Sequence, residues 1–145
     1  MPFEFRRIRR VEFAETDMAG IVHFSEFFRY MEETEHAFFR SLGASIHAEF
    51  EGRMIGWPRV HASCDYQRPL RFEEEVEIQL LVREKREKSL SYQFLFRKTS
   101  EPEQVIARGA LTTVCVALDE QTGKLRSIPI PERIAEQIQV APDGF

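Results

Sequence analysis

The chain is short of cysteine, modest in glycine and proline, and carries no long apolar run and no excess of positive charge. Its two cysteines, Cys64 and Cys115, lie far apart and form no metal-ligand spacing with the four histidines. No metal site is therefore expected, and each thiol sits in a strand-like run as a core residue. Seven glycines and seven prolines are scattered through 145 residues, without linkers, low-complexity tracts or internal repeats. No apolar stretch reaches the ~18 residues that a membrane-spanning helix needs. The N-terminus, "MPFEFRRIRRVEF", is charged and has no apolar core of a signal peptide. No membrane span is expected, and a cytoplasmic location is. Twenty basic residues stand against 24 acidic ones, a net charge of −4. That balance removes the general electrostatic drive toward nucleic acid, so no nucleic-acid partner is expected.

What is present is a well-mixed sequence, 43% hydrophobic and 30% charged, with thirteen phenylalanines. Residues 1–145 suit one domain with a substantial core. Residues 3–13 alternate as a strand, although Arg7 and Arg9 interrupt the apolar side formed by Phe3, Phe5, Val11 and Phe13. Phe24, Phe28, Met31, Phe38 and Leu42 then recur at helical spacing, and Gly43 follows as a stop, which predicts a helix over 24–42. Glu26, Arg29, Glu33 and Arg40 form its polar stripe, which implies contact with solvent or a subunit boundary. Strand patterns follow at 59–67, 76–82, 90–96 and 105–118, with Gly109 as a possible bulge. A short helix is predicted after Pro131. This order describes an α+β protein: one long helix with a curved antiparallel sheet wrapped around it.

One stretch departs from this ordinary pattern. In "FAETDMAGIVHFSEFF", residues 13–28, a carboxylate, Asp17, and a glycine, Gly20, precede the helix. Glycine permits a sharp turn or close approach to a ligand. A helix starting near His23–Ser25 presents free backbone N–H groups, which together with the helix dipole suit an oxyanion or a polarised carbonyl. A carboxylate facing such donors is an arrangement for acyl transfer, with the carboxylate attacking the carbonyl or activating water. An ordinary capped turn before a helix satisfies the same spacing.

The segment "VEFAETDMAGIVHFSEFFRYMEETEHAFFRSLG", continued in "CDYQRPLRFEEEVEI" and "LDEQTGKLRSIPIPERI", resembles the 4-hydroxybenzoyl-CoA thioesterase branch of the hotdog superfamily. The resemblance implies a hotdog fold and a homodimer or homotetramer, built by edge-to-edge sheet pairing with active sites between subunits. It implies an acyl-CoA substrate, hydrolysed at its thioester without a cofactor, coenzyme A being part of the substrate. Asp17 matches the catalytic carboxylate, as nucleophile or general base. Phe24 matches the residue whose backbone N–H holds the thioester oxygen, and Gly20 the glycine of the turn. His23 is expected to line the acyl pocket, with orienting water or capping the helix as its alternatives. The "EKREKSL" segment, with Arg86, Lys88 and Ser89, matches the stretch that contacts the CoA phosphates, and Arg126 is a second phosphate candidate. Aromatic acyl groups such as hydroxybenzoyl or dihydroxynaphthoyl suit the Phe-rich helix. A short aliphatic acyl group, a hydratase, and a noncatalytic acyl-CoA or partner-binding module are the alternatives.

Three further residues stand out. Glu35 falls inside the apolar stripe, so it must pair, reach an interface or carry a raised pKa. Trp57 and Tyr66 flank the second strand pattern; a core position is expected for both, with a wall of the acyl site as the alternative for either.

Overall fold

The computed structural model describes residues 2–145. Its main sheet is fully antiparallel and has five strands: β1 (Glu4–Arg10), β4 (Arg59–Tyr66), β5 (Glu75–Lys85), β6 (Ser89–Lys98) and β7 (Val105–Val114), in the order β1-β5-β6-β7-β4. The helix α1 (Glu26–Ser41) lies in its concave face. The strand alternation explains why. Val76, Ile78, Leu80 and Val82 of β5, with Leu90, Tyr92, Phe94 and Phe96 of β6, are all buried on one face and receive Phe27, Tyr30, Met31, Phe38 and Phe39 of α1. This is the hotdog fold. A second, smaller sheet joins β2 (Ala48–Phe50), β3 (Arg53–Gly56), β8 (Val116–Leu118) and β9 (Leu125–Ser127), and a one-turn helix α2 (Glu132–Ala135) follows. No helix of the described residues is long and apolar enough to cross a membrane.

Several boundaries differ from the pattern in the sequence. β1 ends at Arg10, because Glu12 and Glu15 cap a single 3-10 turn at Phe13–Glu15. Arg7 and Arg9, which interrupt its apolar side, point at the helix. Arg7 pairs with Glu33 at 2.8 Å, and Arg9 pairs with Glu15 at 2.8 Å while lying over the Tyr30 ring. Part of the helix's polar stripe is thus satisfied within the chain. α1 starts at Glu26 rather than Phe24, since the Glu26 N–H closes a turn onto the His23 carbonyl at 2.9 Å.

The 105–118 run splits at Cys115. The Cys115 N–H donates to the Lys88 carbonyl at 2.7 Å, and its carbonyl accepts the Ile128 N–H at 3.0 Å, so the chain crosses from one sheet to the other there. Gly109 is not a bulge: it keeps register opposite Cys64 and Phe94, and a Cβ there would stand 2.4 Å from the Met31 sulfur. The glycine lets the helix approach the sheet.

Candidate active site

Gly20 has φ +78°, in the left-handed region that favours glycine, so the chain reverses between β1 and α1 without strain. The reversal is closed on both sides. The Gly20 N–H donates to the Asp17 carbonyl at 3.0 Å, and the Asp17 N–H donates to the Ile21 carbonyl at 2.8 Å. The half-buried Asp17 side chain accepts the Ala19 N–H on Oδ1 at 2.8 Å. Its other oxygen has no protein partner among the described residues. Val22 then anchors the segment, its N–H donating to the Leu70 carbonyl at 2.7 Å.

This loop forms one wall of a cleft of about 420 Å³. Asp17 and Phe24 contribute from the loop, Phe27 from the first turn of α1, and Tyr66 and Leu70 from the end of β4 and the loop beyond it. The walls are mainly apolar and aromatic, with Asp17 the one carboxylate among them. Phe24 lies outside the helix, and its N–H makes no hydrogen bond among the described residues. Asp17 and Phe24, the one with an unspent carboxylate oxygen and the other with an unspent backbone N–H, therefore line one cleft beside the N-terminus of a 16-residue helix.

The other predicted residues fall in different places. His23 is exposed and does not line the cleft. Its Nδ1 lies 2.7 Å from Ser25 Oγ and 3.3 Å from the Ser25 N–H, and its ring stacks on Phe24 at 4.6 Å. It bonds Ser25, the residue just before the helix, instead of walling the pocket. Trp57 is buried against Phe39, as expected of a core residue. Tyr66 is not in the core: it is 44% exposed and walls the cleft, donating its hydroxyl to the Phe24 carbonyl at 2.9 Å.

The predicted basic residues separate into two groups. Lys88 and Arg126 line a second cleft of about 870 Å³, where Arg53 and Arg133 join them. None of these four cations has an ion pair or a side-chain hydrogen bond among the described residues. Ile55, Ile128 and Ile130 supply its apolar surface, and Glu51 and Glu132 are its acidic members. Arg86 does not line this cleft; it is exposed and paired with Glu84 at 3.0 Å. Ser89 is absent from it too, being held in β6 opposite Val114. Arg53 and Arg133 were not singled out in the sequence. Arg53 lies in the short strand β3 and Arg133 within the one-turn helix α2, and neither carries a local motif.

Glu35 is fully buried and gripped by Arg59, the first residue of β4, at 2.5 and 3.2 Å. Burial raises its pKa to about 6, against the opposing pull of Arg59. Its position in the apolar stripe is thus accounted for by pairing. Among the described residues, no three of His, Cys, Asp and Glu gather as metal ligands.

A curved antiparallel sheet around one long helix, with a carboxylate and a free backbone N–H at the helix start, is the frame of a hotdog thioester-handling protein. The sequence model of the Thioesterase-like superfamily matches residues 11–138, and the chain belongs to that superfamily. It is similar to a 1,4-dihydroxy-2-naphthoyl-CoA hydrolase of Synechococcus elongatus, 30% identical over 97% of this chain and 98% of that protein. Among solved structures it resembles a gentisyl-coenzyme A thioesterase, with a TM-score of 0.78 and 30% identity over 93% of this chain and 100% of that one. A 4-hydroxybenzoyl-CoA thioesterase shares the fold, with a TM-score of 0.79 at 20% identity, covering 94% and 99% of the two chains.

Proposed function

We propose that the protein hydrolyses an aromatic acyl-CoA thioester to the free acid and coenzyme A. The observation that carries this reading is the shared cleft, lined by Asp17, which keeps one oxygen unbonded, by Phe24, whose N–H is unbonded, and by the aromatic Phe27 and Tyr66. In this reading the thioester oxygen accepts the Phe24 N–H, and the helix dipole adds to the stabilisation of the negative charge that develops there. Asp17 supplies the attack. It either adds to the carbonyl carbon, expelling CoA thiolate to leave a mixed anhydride that water then cleaves, or removes a proton from water as the water adds. Both routes begin at the same carboxylate and end with carboxylic acid and thiol. The reading asks for no cofactor, because coenzyme A arrives with the substrate.

Phe24, Phe27 and Tyr66 favour a planar acyl group through ring packing. The gentisyl-CoA and dihydroxynaphthoyl-CoA relatives, both acting on aromatic acyl groups, support the same class.

The four free cations of the second cleft suit the phosphates of the nucleotide end. That cleft lies at the Arg59 end of β4, since Thr113 pairs with both Arg59 and Leu90, two residues beyond Lys88. The acyl cleft lies at the Tyr66 end. The seven steps of this eight-residue strand, at about 3.3 Å each, separate the two ends by roughly 23 Å. β4 is an edge of the sheet, and Val60, His61 and Ala62 are all exposed along it. Antiparallel pairing of β4 with its copy in a second subunit sets each acyl cleft near the partner's basic cleft. This homodimer covers the free edge and completes the substrate site.

The test is a panel of aromatic and aliphatic acyl-CoAs, with released thiol as the readout. Turnover of benzoyl-type substrates that is lost in Asp17→Asn supports the reading. CoA retention with no thiol release from any substrate replaces it with a binding module.

A further inference from the structure

We infer that Tyr66 is a positioning residue for the Phe24 backbone donor; the inference rests on the thioesterase reading above. Phe24 occupies an awkward place for a group that must hold a fixed direction. It precedes α1, so no helical hydrogen bond fixes it, and the residue is 63% exposed. The peptide plane between His23 and Phe24 sets where its N–H points, and the next plane bears on it through the backbone angles of Phe24. The plane between His23 and Phe24 carries the donor itself, and it is fixed at its carbonyl, where His23 accepts the Glu26 N–H at 2.9 Å. The plane between Phe24 and Ser25 is fixed at the Phe24 carbonyl, which accepts the Tyr66 hydroxyl at 2.9 Å. The second tether comes from another part of the chain, 42 residues away, and ends on the main sheet.

Tyr66 is suited to that task. Its ring packs edge-on against Phe27 at 5.1 Å and 83°, so the hydroxyl is carried on a braced ring. Burial pushes its pKa up to about 12, so the phenol remains a donor over the working pH range. The Phe24 ring adds only its stack on His23, itself an exposed side chain. The plane after Phe24 is otherwise held only where the Ser25 N–H donates to His23 Nδ1 at 3.3 Å, so loss of the phenol leaves it on one long bond to an exposed side chain. Because Tyr66 touches the donor's backbone and not the reacting atoms, its contribution acts through Phe24. The expected loss is therefore smaller than the roughly 10²–10³-fold that follows removal of an oxyanion donor itself.

The experiment compares Tyr66→Phe, Tyr66→Leu and Asp17→Asn. Phe keeps the ring against Phe27 and removes only the hydroxyl; Leu removes both. The expected result for Tyr66→Phe is a kcat lower by roughly 10-fold with KM changed less than about 2-fold. Tyr66→Leu should raise KM as well, so that Phe rescues KM but not kcat. The direct readout is the infrared stretch of benzoyl-CoA labelled with ¹³C at its thioester carbonyl, bound to Asp17→Asn so that it is not consumed. Binding should lower that frequency, and adding Tyr66→Phe should reverse most of the change while benzoyl-CoA stays bound. A wild-type kcat in Tyr66→Phe, or an unchanged carbonyl frequency in the double variant, overturns the role of Tyr66. The thioesterase reading then still stands if Asp17→Asn is inactive in the same assay. Full activity in Asp17→Asn overturns that reading instead.

Discussion

Asp17 uses one oxygen on its own turn and leaves the other free, and this division makes its substitution informative. Asn accepts the Ala19 N–H with its amide oxygen as Asp does, so the loop keeps its shape. The free position becomes an uncharged NH₂, which neither attacks nor takes a proton. Asp17→Asn should lower kcat by roughly 10²–10⁴-fold with little change in melting temperature, as thiol release and calorimetry will show. Gly20 differs in kind. Nothing lies within 4 Å of a Cβ built there, so the cost of Gly20→Val comes from φ +78° alone. A β-branched residue in that region costs on the order of 1–2 kcal/mol or shifts the turn. Activity should fall more than stability, because the turn holds Asp17 and leads to Phe24. Asp17, Gly20 and Phe24 could be proposed from the sequence because they sit in one continuous segment, the one that carries the resemblance to the thioesterases. The tether from Tyr66 could not, since it depends on a hydroxyl reaching back across 42 positions.

Glu35 makes a prediction about pH at the same scale. Burial raises its pKa from 4.5 to about 6, with Arg59 opposing and Glu32 adding to the rise; the buried Tyr92 lies close enough to feel its charge. A carboxylic acid raised on folding holds its proton more tightly folded than unfolded. Its stabilising contribution is complete below pH 4.5 and is lost as pH rises through about 6. Glu35→Gln cannot titrate. Whatever the variant's absolute stability, its disadvantage relative to the wild type should shrink between those two pH values, as followed by urea unfolding. A difference that stays flat across the interval means that Glu35 does not change its ionisation there.

At the scale of elements, the helix and the long strands were legible because periodicities of 3.6 and 2 are written locally. β2, β3 and β9 are three or four residues long and exist through pairing with distant segments, so their sequence carries no such period. Gly109 shows the same limit. A glycine in a strand signals either a bulge or a close approach, and only the helix that crosses it decides which. Here Met31 fills the space, with its sulfur 2.4 Å from a Cβ that Ala would add. Gly109→Ala should destabilise the fold by about 1–3 kcal/mol, because Met31 is fully buried and has little room to move. In a Met31→Ala background the same substitution should cost much less. Equal costs in the two backgrounds, measured by denaturant unfolding in a double-mutant cycle, would show that the helix does not press on this strand.

At the scale of the whole molecule, the acyl cleft and the basic cleft lie at opposite ends of β4, and the chain that holds one carboxylate need not hold the phosphates of the same substrate. Mixing tests this directly. One parent carries Asp17→Asn and intact cations; the other carries Asp17 with Lys88→Glu and Arg126→Glu. Alone, the first should be inactive. The second should show a raised KM for acyl-CoA with a smaller change in kcat, and that effect should weaken as salt rises. An acyl-pantetheine without the nucleotide should not sense the charge reversal, and Arg86→Glu should leave KM near wild type because Arg86 is outside the cleft. In a mixed dimer, one site combines both defects and is dead, while the other combines Asp17 of one chain with the four cations of its partner. Equal mixing after reversible dissociation makes about half of the dimers mixed, so about one quarter of all sites regain wild-type properties. At substrate concentrations well below the raised KM, those sites should carry most of the thiol release. If the mixture never exceeds the average of its parents, although light scattering shows exchanged dimers, each chain binds its own nucleotide and the antiparallel pairing of β4 does not build the site.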